Sequence, residues 1–277
     1  MNPAQKALWF IESHLGGGLT LDEIAAVAEV SRFHLVRAFA AATGFSVMRY
    51  VRARRLSKAA RALAAGAPDI LQLALDADYN SHEAFTRAFR DHFGMTPEAV
   101  RSLARLDNLR LQEPIRMIST ATENLQARRF ETGRAFLVAG VGERHNHENG
   151  AGIPGQWQRF HQSVDSIPGR IGKVAYGVCC NGDDAGNFDY IAGVEVSEFS
   201  GLPREFSRVR IPEQRYALFT HRDHISSIRR TINAIWNHWL PSSGLKVADA
   251  PNFERYDEKF DPLTGNGGLE IWVPVRA

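Results

Sequence analysis

Only two cysteines occur among the 277 residues, and they are neighbours, Cys179 and Cys180, in an apolar run. Adjacent cysteines seldom bridge, so a disulfide scaffold is excluded and the pair reads as reduced, buried thiols of a cytoplasmic protein. No apolar run approaches membrane-spanning length, and residues 1–10 lack a signal-peptide pattern. The expectation is a cytoplasmic location with no membrane partner. A phosphate-cradling glycine motif and a nucleophile elbow are both missing. Charge imbalance is small as well: the net charge is +2, too little to argue for nucleic-acid binding by itself.

What the chain does contain is a pattern written twice. Ser31, Arg37, Ala38, Phe39, Gly44 and Ser46 recur fifty positions later as Ser81, Arg87, Ala88, Phe89, Gly94 and Thr96. Leu35/Phe39 and Phe85/Phe89 are spaced four apart and share a helical face, the serine suits an N-cap, and the glycine suits a C-terminal turn. Each copy is expected to be a short helix buried on its Leu/Phe side, with Arg37 or Arg87 on another face. Two such helices at a fixed separation suit a periodic polymer, duplex DNA above all. Between them, Arg49, Arg52, Arg54, Arg55, Lys58 and Arg61 form a stretch without an acid, either a solvated helix face or a source of phosphate contacts.

The surrounding sequence supports helices throughout the first hundred residues. Thr20-Leu-Asp-Glu23 is a capping box, and a three-residue break, 29–31, leads into the first repeated helix, which makes a helix–turn–helix. Residues 46–65 contain neither Gly nor Pro and suit one helix of roughly 30 Å, close to the ~34 Å between successive major-groove faces. Asp69 caps a helix through Ala77 before the second repeat, and Thr96-Pro97 opens a closing helix.

These residues carry a resemblance. Ser81-His-Glu-Ala-Phe-Thr-Arg-Ala-Phe-Arg90, then Phe93-Gly-Met-Thr-Pro97, together with Ser31-Arg-Phe-His-Leu-Val-Arg-Ala-Phe39, are similar to the signature of the AraC/XylS family of transcription regulators. The resemblance implies two helix–turn–helix units bridged by one long helix, with base contacts at Arg32, Phe33, Val36 and Arg37 in the first unit and at His82, Glu83, Thr86 and Arg87 in the second. The chain departs from the family at the turns, where the frequent glycine is replaced by Glu29 and Asp78. Chemically, Arg37 and Arg87 suit bidentate contact to guanine, Glu83 can accept from cytosine N4, and Thr86 and Phe33 suit a thymine methyl. The alternative at each position is a solvent-facing residue or a phosphate contact.

After a connector at 109–124 the periodicity becomes strand-like. Strands are expected at 135–141, 174–180, 190–196, 207–211, 215–221, 253–256 and 269–275, and helices at 155–167 and 225–240. The fold class is therefore α+β: an all-α domain at 1–108, then a domain at 125–277 made of two strand–helix–strand–strand modules around a shared cleft. Arg215-Tyr-Ala-Leu-Phe-Thr-His-Arg222, Trp236-Asn-His-Trp-Leu-Pro-Ser-Ser-Gly244 and Phe253-Glu-Arg-Tyr256 resemble the GyrI-like effector-binding domain. That resemblance implies a small-molecule pocket lined by aromatics with a buried carboxylate. The candidates are Trp157, Tyr176, Tyr190, Tyr216, Trp236, Tyr256 and Trp272, with Glu254 and Glu195 as the acids. Plain core packing is the alternative for each aromatic, and an internal salt bridge for Glu254. Glu195 should face away from Val194 and Val196, toward solvent if those valines pack on the helices.

The functional expectation is a ligand-responsive DNA-binding regulator, not an enzyme. Its partners would be promoter DNA and a small amphipathic or cationic effector, with RNA polymerase a further candidate. A cleft hydrolase using Glu254 with Tyr256 or Tyr216, and a protein that only sequesters a toxic compound, are the alternatives. No cofactor and no metal are expected: His145-Asn-His147-Glu148 reads as a solvated loop, and Asp223 or His224 as a helix cap.

Overall fold

The computed structural model describes residues 1–115, 117, 125–146 and 152–277. Most of the expected connector, and His147 and Glu148, lie outside the described residues. By its contacts the chain divides into two compact units, Met1–Leu35 with Phe45–Ile118 and Val36–Gly44 with Ser119–Ala277.

Helices build the first unit: α1 (Pro3–Ser13), α2 (Leu21–Val27), the start of α3 (Arg32–Thr43), α4 (Val47–Ala64), α5 (Ile70–Asp76), α6 (His82–Phe93) and α7 (Pro97–Leu103). The Thr20/Glu23 capping box forms as its sequence predicts. Asp69, Ser81 and Thr96 cap α5, α6 and α7 through backbone N–H groups. α4 runs 18 residues, about 27 Å, and its Leu56, Ala60 and Leu63 pack on Ile70, Ala74, Phe85, Phe89 and Val100.

Glu29 and Asp78 both adopt left-handed backbone, with φ of +58° and +68°, so the turns keep the geometry a glycine would give. Each carboxylate is tied down, Glu29 to Lys6 Nζ at 2.6 Å and Asp78 to Arg55 Nη1 at 2.8 Å. The second turn is one residue longer. Two steps separate Glu29 from Ser31, but three separate Asp78 from Ser81. The fifty-residue offset is therefore a property of the repeated helices and does not extend to the helices before them.

The second unit is built on antiparallel strands: β1 (Arg129–Gly133), β2 (Phe136–Asn146), β3 (Arg170–Cys180), β4 (Asn187–Val196), β5 (Ser207–Ile211), β6 (Gln214–His221), β7 (Lys246–Val247), β8 (Asn252–Tyr256) and β9 (Leu269–Arg276). Their order is β1-β6-β9-β8-β3-β4-β2-β5, with β7 pairing on β9. The two expected modules are there. One is β2, helix α8 (Ile153–Ser163), β3 and β4. The other is β6, helices α9 (Ile228–Ala234) and α10 (Leu240–Ser243) joined by a π turn (Ile235–Trp239), then β8 and β9.

The modules do not hold separate sheets. β3 pairs β8 in register Gly177↔Glu254 and Cys179↔Asn252, fusing both into one sheet. The edge strands are exchanged: β1 precedes the first module but pairs β6 of the second, and β5 precedes the second but pairs β2 of the first. Sequence periodicity could not reveal that exchange, because pairing partners are chosen by tertiary packing. β1 itself escaped the sequence reading; its five residues are largely exposed and carry no apolar alternation.

On one sheet face α8 packs Phe160 and Trp157 over Tyr190, Ala192 and Val194, while the second helical segment packs Trp236 and Trp239 over Ala217, Phe219, Ile271 and Val273. The other face gathers Tyr176, Val178, Tyr216, Phe253 and Trp272. This alternation along β8 sends Phe253 one way and Glu254 and Tyr256 the other.

Candidate functional site

Each of these helices covers its own module, and over the junction of β3 and β8 the residues Arg37, Ala40 and Ala41 of α3, which group with the second unit, border an open space. A cavity of about 560 Å³ lies there. One wall is the α8 stripe Ile153, Trp157 and His161, and the other is Ile228, Ile232 and Trp236. The floor is Cys179, Tyr190, Glu254, Tyr256, Ile271 and Val273. The spacing of four in both walls puts each stripe on a single face.

The polar centre of the floor is Glu254. Its Oε2 accepts from Tyr190 Oη at 2.7 Å and from Tyr256 Oη at 2.8 Å. Tyr190 is itself held by Trp157 Nε1, which donates to its oxygen at 3.0 Å, and Trp157 meets Tyr256 edge-on at 4.8 Å between ring centres. Gln156, one residue before Trp157, donates to the carbonyls of Val141 and Tyr190 and accepts from His145, locking α8 to β2 and β4. Gly177 completes the site by having no side chain. A Cβ there would overlap Tyr190 Oη and lie 2.6 Å from Glu254 Oε2.

Burial pushes the Glu254 carboxyl above its ordinary value, against the two phenol hydrogen bonds that lower it. Tyr190 and Tyr256 are raised well above theirs, first by burial and then by the neighbouring carboxylate. Cys179 is pushed by burial up to about 12 and is no nucleophile. Among the described residues no Lys, Arg or His forms an ion pair with Glu254, so the salt-bridge alternative does not hold.

The nine expected ligand residues separate into two groups. Trp157, Tyr190, Trp236, Glu254 and Tyr256 converge on the cavity. Tyr176, Tyr216 and Trp272 do not; they pack on the opposite sheet face, where Phe253 stacks on Trp272 at 5.2 Å, and plain core packing accounts for them. Glu195 does face away from its flanking valines, yet it is buried beneath Arg134, which pairs with it at 2.6 Å. The reason for these corrections is strand parity, which aromatic content does not report. Cys179, Ile228, Ile232 and Phe260 were missed as lining residues; the i, i+4, i+8 run of 228, 232 and 236 was the available signal. A second depression, of about 620 Å³, is polar, and its Arg144 is already spent on Asp183 and Asp189. His224 caps the turn before α9 by accepting from Ser226 N–H, as its position suggested. Among the described residues no cluster of metal-ligating groups occurs, and no helix is long and apolar enough to cross a membrane.

In the helical unit, α6 presents Glu83 and Arg87 to solvent and leaves His82 and Thr86 partly exposed. Hydrogen bonds at the helix N-terminus, from its own backbone N–H and from Ser81, hold the Glu83 carboxyl below its ordinary value. His82 Nε2 lies 3.2 Å from Glu98. In α3, Arg32 and Phe33 are exposed, but Val36 and Arg37 are buried, at 5% and 8% exposure. Both belong to the stretch that groups with the second unit, where the Arg37 guanidinium lies 5.3 Å from the Trp236 ring centre. Neither side chain can meet a base in this conformation, so the expectation of twin outward arginines is corrected for Arg37.

The basic stretch needs correction too. Arg54 is bidentate to Glu12, at 2.8 Å for both bonds, and Arg55 donates to the carbonyls of Leu15 and Gly17 and to Asp78. Arg61 pairs with Glu113. Arg49, Arg52 and Lys58 remain exposed.

A model of the GyrI-like small molecule binding domain matches residues 128–276, over half of the chain, and a helix-turn-helix domain model matches residues 24–102. The chain belongs to the GyrI-like family, behind an AraC-type helix–turn–helix domain. It is similar to the transcriptional regulator Rob of Salmonella typhimurium and to the right origin-binding protein of Escherichia coli K12. Each is 27% identical over 97% of this chain and 96% of the relative. The transcriptional regulator BrlR of Pseudomonas aeruginosa is 34% identical over 154 residues, 55% of this chain and 56% of BrlR. This GyrI-like chain is accordingly a transcriptional regulator with a DNA-binding and a small-molecule-binding domain. That assignment stands on the whole-length match and not on the placement of Arg37.

Proposed function

We propose that the GyrI-like cavity binds a small amphipathic organic cation, and that its occupancy alters how the helix–turn–helix domain binds promoter DNA at sites used by RNA polymerase. The observation that carries the cation is Glu254, a carboxyl on the floor of a largely aromatic and aliphatic cavity that accepts hydrogen bonds from two phenols and, among the described residues, forms no ion pair, although Arg37 and Arg229 also line the cavity. Burying an unpaired charge is costly, and a cation is the guest that offsets it. The Trp157, Tyr190 and Tyr256 rings add their π faces. For DNA, Glu83, Thr86 and Arg87 on α6 are the proposed base readers of the second unit, with His82 beside them. Arg32 and Phe33 are the readers that remain exposed in the first.

A charge-inverted pair of probes tests the cation. Tetraphenylarsonium should bind and raise the melting temperature, whereas tetraphenylborate, with the same shape and opposite charge, should do neither. Equal binding of both would remove the role of the carboxylate. Fluorescence anisotropy on a selected operator, with and without the cation, tests coupling: regulation requires the two DNA affinities to differ, and identical curves would leave only sequestration.

A further inference from the structure

The hydrogen bonds at Glu254 say which kind of cation fits. Both phenols go to one oxygen, Oε2. Oε1 accepts from none of the described side chains, and Glu254 borders the cavity. The phenols cannot readily be shared between the two oxygens. Tyr190 is fixed by Trp157 Nε1 at 3.0 Å, and the pair sits over Gly177, the only residue type that leaves room for it. The wall residues Ile228 and Ile232 are aliphatic, and Arg37 and Arg229, the cationic donors that also line the cavity, form no ion pair with Glu254. The Glu254 carboxyl thus holds out one fixed oxygen acceptor with unused lone pairs, whose ionised form a bound cation favours.

We propose that Glu254 Oε1 selects cations that donate an N–H, protonated amines or amidiniums, over quaternary onium ions of the same shape. This specificity rests on the cation reading above. A quaternary ion gains only charge and aromatic contact. A protonated amine is more strongly hydrated and enters an apolar cavity at a disadvantage unless its N–H finds an acceptor. With Oε1 in place it forms a charge-assisted bond, about twice as strong as a neutral one, worth roughly tenfold to hundredfold in affinity. The order of the two affinities therefore reports on Oε1.

The test is calorimetric titration of the full-length protein at pH 7 with three probes on one frame: a diphenylpropyl dimethylamine, its N-methyl quaternary salt and the neutral methyl ether. The expected order is amine, then quaternary salt, then ether, with the first gap about tenfold or more. A quaternary salt that binds as tightly as the amine, with both tighter than the ether, overturns N–H selection while the cation reading stands. An ether that matches both cations, or no binding by any probe, overturns the cation reading and this proposal with it. In Glu254→Gln, whose fold is checked by melting, the gap between amine and quaternary salt should close. A gap that persists there assigns the acceptor to another group and refutes the proposal.

Discussion

Replacing Glu254 by Gln should have opposite effects on stability and on ligand affinity. Burial raises the Glu254 carboxyl above its ordinary 4.5 even though two phenols donate to it, so ionisation is harder in the folded chain than in the unfolded one. The stability this group leaves intact is complete below about pH 4.5, declines as pH rises through the elevated folded value, and is level above it. Each unit of elevation removes about 1.4 kcal/mol. Gln keeps a carbonyl oxygen for Tyr190 and Tyr256 and has no proton to lose. The stability difference between variant and wild type should therefore grow across that window and favour the variant at pH 7. Of the groups lining the cavity, Tyr190 and Tyr256 are raised well above their ordinary values and Cys179 lies at about 12, so all three stay neutral there; His161, lowered from its ordinary 6.5 by burial, titrates in both chains and is compared between them, and Arg37 keeps its charge. Affinity for a lipophilic cation should fall in the variant by about 2 kcal/mol or more, roughly thirtyfold. Thermal melts from pH 4 to 8 followed by tryptophan emission suit the measurement, since Trp157, Trp236, Trp239 and Trp272 all lie in the second unit. A variant less stable than wild type at pH 7, or one that binds the cation unchanged, would refute the account of the buried carboxylate.

Gly177→Ala, which places a methyl group against Tyr190 Oη and Glu254 Oε2, should cost about 1–3 kcal/mol by overpacking and abolish cation binding; urea unfolding and titration check both, and normal binding would contradict the close approach. Arg87→Ala should weaken operator binding by about 1–3 kcal/mol and relax sequence preference at one base pair, whereas an equal loss on every sequence in anisotropy titrations would make Arg87 a phosphate contact. Within α4, Arg52→Ala should lower the slope of log K against log salt by about one. Arg54→Ala, which strips Glu12 of its bidentate partner, should instead cost stability in denaturant unfolding, and the converse pattern would restore Arg54 to the DNA face.

Local signals fixed a good deal. Capping residues, helical spacings and the Gly/Pro-free run of α4 are read from near neighbours in the chain, so the helix–turn–helix units and both modules were legible before any coordinates. Trp236, Glu254 and Tyr256 lie in the short segments that carry the GyrI-like resemblance, whereas Trp157 and Tyr190 were two among seven candidate aromatics that sequence alone does not rank. Tertiary structure alone decided everything that depends on which surfaces meet. Strand parity and the β3·β8 junction put Glu254 into the cavity and turned Tyr176, Tyr216 and Trp272 into core. The exchange of β1 and β5 between modules, the burial of Arg37, and the capture of Arg54 and Arg55 by Glu12 and Asp78 likewise needed the folded chain. An arginine on a helix looks the same in sequence whether its partner is a phosphate or a carboxylate more than forty residues away, because charge type is a local property and charge neutralisation is not.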